Sequence, residues 1–127
     1  MRVKHKDQGD GAKGSVATDK WATTRMLLRE DGFGLTLSDV RVPAGSEGVY
    51  GYKHHVEVCY CIEGEAELEE LASGTLHRIR PGSLWAAEKG ERLRLAVKTD
   101  FRVIAVFVPA LVGPETSDAE GSFPLLP

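Results

Sequence analysis

Long apolar runs are missing from this 127-residue chain. No stretch approaches the roughly eighteen residues that a membrane helix needs, and no basic segment at the start leads into an apolar one. Membrane partners are therefore not expected, and a cytoplasmic location is. Cysteine is scarce: only Cys59 and Cys61 occur. They stand two apart in a stretch that reads as strand, so their side chains share a face and are poorly placed to bond to each other. A reducing compartment suits that pattern. A surplus of positive charge is also absent, since sixteen basic residues are set against nineteen acidic ones for a net charge of −3. The basic residues are scattered rather than gathered into a stripe, which argues against nucleic acid as a partner. Repeats, low-complexity tracts and a second composition regime are lacking too. The expectation is one domain spanning 1–127, long enough to bury a core without disulfides or a structural metal.

What is present is a succession of short strand signals. After the turn at Asp31-Gly32, runs rich in β-branched and aromatic residues fall at 33–42, 49–62, 65–71, 75–79, 83–88, 91–97 and 101–108. Gly45, Gly64, Gly74, Pro81-Gly82 and Gly90 punctuate most of the gaps. No helical pattern alternates with them, so the fold class is all-β, a barrel or sandwich rather than α/β. Residues 19–29 read as a short N-terminal element carrying Trp21, Met26 and Leu28, amphipathic or, given Thr23-Thr24, a strand. Residues 1–18 lack apolar periodicity apart from Val3 and are expected to be loosely held. Residues 110–127 are expected to form an irregular tail that either lies across the mouth of the barrel or frays.

Strand alternation sorts the chemistry-bearing residues. With Glu57 placed inward, His55, Glu57, Cys59 and Cys61 share one face. Glu57, Cys59 and Cys61 then offer a carboxylate-thiolate-thiolate metal site, against the plainer reading of two small buried hydrophobes. Arg25 can fork a carboxylate or polarise a carbonyl. Tyr52 can donate to an oxygen as charge develops there. Glu57 in an apolar barrel is expected to have a raised pKa that suits proton transfer. A structural alternative stands beside each: Arg25 pairing with a surface carboxylate, Tyr52 as core with a wet hydroxyl, His55 as a satisfied strand histidine. His5, His54 and His77 have no partners in the pattern and read as surface.

The run Tyr52-Lys53-His54-His55-Val56-Glu57-Val58-Cys59-Tyr60-Cys61-Ile62-Glu63-Gly64-Glu65, with Pro81-Gly82-Ser83-Leu84-Trp85, resembles the two motif-bearing hairpins of a small cupin, a jelly-roll-like β-barrel. Trp21, Thr24-Arg25-Met26-Leu27-Leu28, Ala44-Gly45-Ser46-Glu47, Arg102-Val103, Pro109, Gly113, Glu115 and Pro124-Leu125 extend the likeness along the chain, which resembles ectoine synthase. That family closes N-γ-acetyl-diaminobutyrate to a cyclic amidine with loss of water. The resemblance implies that Glu57 stands at a metal-binding position, with Trp85 where the family has a metal-binding Tyr and Leu93 where it has a metal-binding His. Gly51 and Lys53 occupy the H-x-H places of a metal-dependent cupin. Val40 replaces a substrate-contacting Thr, and Ser117 a His near the reacting end. The resemblance also suggests a homodimer.

The substitutions share a direction, since each removes a ligand or a hydroxyl and most add apolar surface. At about 25 cal/mol per Å² of apolar surface, a few of them shift preference toward a less polar ligand by a few kcal/mol. The site is accordingly expected to comprise Glu57, Tyr52, His55 and Glu115 as catalytic groups, with Trp21, Arg25, Val40, Lys53, Trp85, Leu93, Ala105 and Phe107 contacting substrate. No cofactor is expected, with iron or zinc only at a site relocated to Glu57, Cys59 and Cys61. Three functions follow: a metal-independent cyclase, lyase or isomerase on a small, partly apolar substrate of specialised metabolism; a genuine ectoine synthase with altered ligands; or a non-catalytic small-molecule-binding cupin.

Overall fold

The computed structural model describes residues 1–6, 15–18 and 20–127. Ten strands follow in chain order: β1 (Ser15–Ala17), β2 (Ala22–Arg25), β3 (Thr36–Val42), β4 (Glu47–Tyr50), β5 (Val56–Glu63), β6 (Ala66–Glu70), β7 (Thr75–Ile79), β8 (Leu84–Ala87), β9 (Leu93–Val97) and β10 (Phe101–Val108). They form two antiparallel sheets, one ordered β1-β2-β3-β10-β5-β8 and the other β4-β9-β6-β7. A 3-10 turn at Arg29–Asp31 lies between β2 and β3. No helix among the described residues is long and apolar enough to cross a membrane.

The sheets enclose one apolar interior because each strand presents a single parity to it. β10 shows this most plainly: Phe101, Val103, Ala105 and Phe107 are buried, and the residues between them are not. The same core takes in Val42 of β3, Cys59 and Cys61 of β5, Leu68 of β6, and Leu93, Leu95 and Val97 of β9. β10 lies at the centre of the larger sheet. It pairs Phe107 with Thr36 on one side and with Glu57 on the other, which puts the first half of β5 beside the end of β10.

One expectation needs correction. The stretch 49–62 is not one strand, because β4 belongs to the smaller sheet and β5 to the larger. Residues 51–55 cross between them, and their backbone groups bond elsewhere: Gly51 N–H to Gly121 O, Lys53 N–H to Ser122 Oγ, and Tyr52 O to Gly90 N–H. Where the beginning of the chain is described, it has partners. Arg2 and Lys4 each approach the buried Asp31 carboxylate at 2.9 Å, and β1 pairs with β2; residues 7–14 lie outside the described part. Of the two readings of the N-terminal element, residues 22–25 take the strand one, as the β-branched pair Thr23-Thr24 favours.

The tail carries no strand, yet it is seated. The Asp118 carboxylate accepts from Glu120 N–H and Ser122 N–H, and the loop so formed is tied to residues 51 and 53. A Cβ on Gly121, whose φ is +79°, would collide with the Val49 carbonyl. Only glycine fits that conformation and that approach together.

Candidate active site

A cavity of about 80 Å³ opens between the sheets. Thr23 and Arg25 of β2, Val40 and Val42 of β3, Tyr50 of β4, Glu57 and Cys59 of β5, and Trp85 of β8 line it. So do Leu93 and Leu95 of β9, the four inward residues of β10, and Trp21, Tyr52 and Phe123 from connecting segments. Glu57, Trp85 and Leu93 thus face one space, as alternation predicts. The register explains it: Cys59 stands opposite Trp85 across β5 and β8, and Glu57 stands opposite Phe107 across β5 and β10.

Among the described residues, Glu57 is the one carboxylate in that wall. Burial pushes its carboxyl up to about 7, and the neighbouring Trp85 N–H, Cys59 thiol and Tyr52 hydroxyl only partly oppose the rise. The same burial, together with the Glu57 charge, holds the Tyr52 phenol and the Cys59 thiol well above their ordinary values. Both stay protonated and are therefore donors toward anything that carries negative charge near Glu57. Arg25 is buried, donates from Nη1 to Gly113 O at 2.6 Å, and lies 5.0 Å from the centre of the Phe123 ring. Burial lowers its pKa, while Glu115 and Tyr52 favour its charge. Its Nε has no partner.

Phe123 brings the tail into the lining. Its ring lies 4.9 Å from that of Tyr52, 5.3 Å from Phe107 and 6.4 Å from Trp21, so one residue of the tail joins the aromatic lining of three other segments. Trp85 is fixed at its own end by stacking on Phe101 at 6.4 Å and 12°.

Four of the expected site residues lie elsewhere. Lys53 is exposed and pairs with Glu120 at 2.6 Å, because the segment that crosses between the sheets turns it outward. His55 is buried but packs edge-on to Phe107 and Phe123 behind the lining; burial lowers its pKa, and its Nδ1 has no partner. Alternation from Glu57 fails there because His55 precedes the strand. Glu115 is spent on the tail, accepting from Val112 N–H and Gly113 N–H at 2.7 and 2.8 Å. It reaches the site only by helping to hold the charge of Arg25. Cys61 turns to the carbonyls of Glu63 and Gly64, away from Glu57, which removes it from the relocated metal site. Ser117 is not among the lining residues.

The donor set does not fit a divalent iron or zinc ion. Several nitrogen, sulfur or oxygen ligands are the rule for such an ion, and the cavity offers one carboxylate and a thiol held in its protonated form. Trp85 and Leu93 bring no lone pair to the positions where ligands would be needed. No group of three His, Cys, Asp or Glu suited to a metal occurs among the described residues.

Sequence reasoning overlooked Thr23, Tyr50, Val42, Leu95, Phe101, Val103 and Phe123. Parity was enough to find five of these: Thr23 shares a strand face with Arg25, Val42 with Val40, Leu95 with Leu93, and Phe101 and Val103 with Ala105 and Phe107. No periodic signal marks Phe123, an isolated aromatic in an irregular tail.

Comparison with known proteins places this cavity in context. The chain matches the family model for ectoine synthase over residues 1–127. The L-ectoine synthase of Oceanobacillus iheyensis is 37% identical over 126 residues, covering 99% of this chain and 98% of the relative. An ectoine synthase from P. lautus, known from its crystal structure, is 39% identical and superposes with a TM-score of 0.86 over 100% of this chain and 92% of that one. An RmlC-like cupin from Shewanella frigidimarina shares the fold alone, at 16% identity and a TM-score of 0.65 over 81% of this chain and 89% of its own. The likeness thus runs through every strand that walls the cavity as well as the tail that carries Phe123, and the chain belongs to the ectoine synthase family.

Proposed function

We propose that this protein is a metal-independent cyclase, lyase or isomerase acting on a small, partly apolar acyl compound, with Glu57 as its proton carrier. The observation that carries the reading is the placement of Glu57 as the lone carboxylate of a cavity whose other walls are mostly apolar. In a ring closure of the family's type, an amine adds to an acyl carbon, a C–N bond forms and the C–O bond breaks. Both protons of the amine leave with the oxygen as water. A carboxyl with a pKa near neutrality is suited to both halves of that transfer, taking a proton from nitrogen and returning it to oxygen. Tyr52, held protonated beside it, is placed to donate to the oxygen as charge develops. The aromatic wall of Tyr52, Phe107 and Phe123 holds a flexible chain folded for attack, which supplies rate without a ligand field.

A second reading has its own support. Full-length similarity to L-ectoine synthases favours conversion of N-γ-acetyl-diaminobutyrate itself. Against it stand the ligand positions occupied by Trp85 and Leu93, and the apolar Val40. The two are separated by assaying metal-stripped protein on N-γ-acetyl-diaminobutyrate and on analogues with longer acyl chains, following loss of water by mass spectrometry. Expected is metal-independent turnover that favours the longer acyl chains and falls about 10²-fold or more in Glu57→Gln. Turnover of the acetyl compound that appears only on adding iron or zinc would establish the second reading. Saturable binding with no product in any arm would leave a small-molecule-binding barrel.

A further inference from the structure

Five buried side-chain polar atoms among the described residues lack a hydrogen-bond partner: Arg25 Nε, Ser38 Oγ, His55 Nδ1, Trp85 Nε1 and Ser117 Oγ. Buried polar groups in folded proteins are nearly always paired, so each orphan calls for an explanation. Only Arg25 and Trp85 belong to side chains that line the cavity. Both orphans are N–H groups, which donate and cannot accept. They approach the cavity from different sides, because β2 and β8 are separated by β3, β10 and β5 in the larger sheet.

Trp85 is the more constrained of the two. Its backbone is held by the β5–β8 register opposite Cys59, and its ring is stacked on Phe101 with an interplanar angle of 12°. The direction of the N–H is therefore set by packing before any ligand arrives. The indole lies close enough to Glu57 to favour the carboxylate, but it does not complete a hydrogen bond of good geometry. The N–H thus stands beside the proton carrier without a bond of good geometry, so an oxygen drawn to Glu57 meets the indole donor as well.

We propose that the Trp85 indole N–H is a catalytic hydrogen-bond donor to the reacting oxygen of the substrate, polarising the acyl C=O from a position where this chain has no metal ligand to offer. The inference rests on the reading of Glu57 as the proton carrier of that reaction and deepens it by naming the group that activates the electrophile. Preorganised donors of this kind act because their orientation is settled beforehand and water is excluded. A cation or an ammonium group has no lone pair for this N–H, so the subsite selects a carbonyl or carboxylate oxygen.

The chain has two tryptophans, so the ¹⁵N–¹H spectrum contains two indole cross-peaks, and Trp85→Phe identifies one by deleting it. N-methylacetamide, a bare amide carbonyl, is titrated into wild-type protein, with methylguanidinium as a probe that offers no acceptor. The Trp85 peak is expected to move downfield and to saturate with the amide, and to stay in place with the cation. In the acyl-compound assay, Trp85→Phe is expected to lower kcat about 10²-fold with KM changed by less than about threefold. Trp85→Tyr, which restores a donor on a ring, is expected to recover part of the loss. A Trp85 peak indifferent to the amide would overturn the proposal, as would a Trp85→Phe variant with unchanged kcat. The two failures are distinguishable: loss of turnover in Glu57→Gln alone leaves the proton carrier and removes the donor, whereas a shifting Trp85 peak with full turnover in Glu57→Gln keeps the donor and removes the carrier.

Discussion

A carboxyl surrounded by Trp85, Cys59, Tyr52 and Phe107 has few ways to stabilise a charge, and Glu57 shows the consequence in its protonation. Below about pH 4.5 the group is neutral whether the chain is folded or not. As pH rises toward 7 the unfolded chain ionises and the folded one does not, so the stability this residue contributes at low pH is lost, completely so above its folded pKa of about 7. That displacement corresponds to about 3 kcal/mol. Glu57→Gln, neutral throughout, is expected to match the parent in urea denaturation at pH 4 and to exceed it by about 3 kcal/mol at pH 8. Equal stabilities at pH 8 would mean that Glu57 ionises in the fold without penalty. A residue that costs stability at the pH where it is useful fits a role in chemistry rather than in packing.

At the scale of the strands, the site depends on how β10 is held between β3 and β5. Asp39 of β3 and Arg102 of β10 form a two-pronged bond, Nε to Oδ1 at 2.9 Å and Nη2 to Oδ2 at 2.5 Å. Asp39 pairs in register with Ile104, so the clamp runs diagonally across the ladder to a residue two places away. The Arg102 hydrogen bond holds the Asp39 carboxyl below its ordinary pKa, and the stability it supplies is present at neutral pH and lost as pH falls through that lowered value. Asp39→Asn is expected to lower stability modestly at pH 7, by up to about 1 kcal/mol, as loss of a part-exposed, solvent-screened ion pair does. The difference from the parent should shrink on acidification. Thermal melts at pH 7 and pH 3 check both halves of that expectation.

For the molecule as a whole, the decisive feature is a tail without secondary structure that completes a barrel. Phe123 is 5% exposed and touches residues from the start, the middle and the end of the chain. Removing a buried Phe ring costs about 3–5 kcal/mol, so Phe123→Ala is expected to lower stability by that amount in chemical denaturation. Gly121→Ala leaves the ring in the sequence but breaks its seat, since the new Cβ meets the Val49 carbonyl. Weaker retention of an apolar dye is expected in both variants, measured by fluorescence titration. Unchanged retention in both would show that the tail packs on the barrel without closing it.

The all-β class and the facing of Glu57 and Cys59 on β5 were legible in the strand pattern, and the resemblance to ectoine synthase supplied the facing of Val40, Trp85 and Leu93 on the other strands. A period of two is a local property, written by the pleat of the backbone into consecutive residues. Only the tertiary structure decided the rest. It broke the 49–62 stretch where the chain leaves one sheet for the other, turned Lys53 to solvent, withdrew His55 and Cys61 from the lining and brought Phe123 into it. Each of those outcomes depends on backbone bonds between segments far apart in the chain, such as Lys53 with Ser122 and Gly51 with Gly121. Local pattern carries no record of such partners, because the hydrogen-bonding needs of a crossing segment are met by whichever distant groups the assembled fold places beside it.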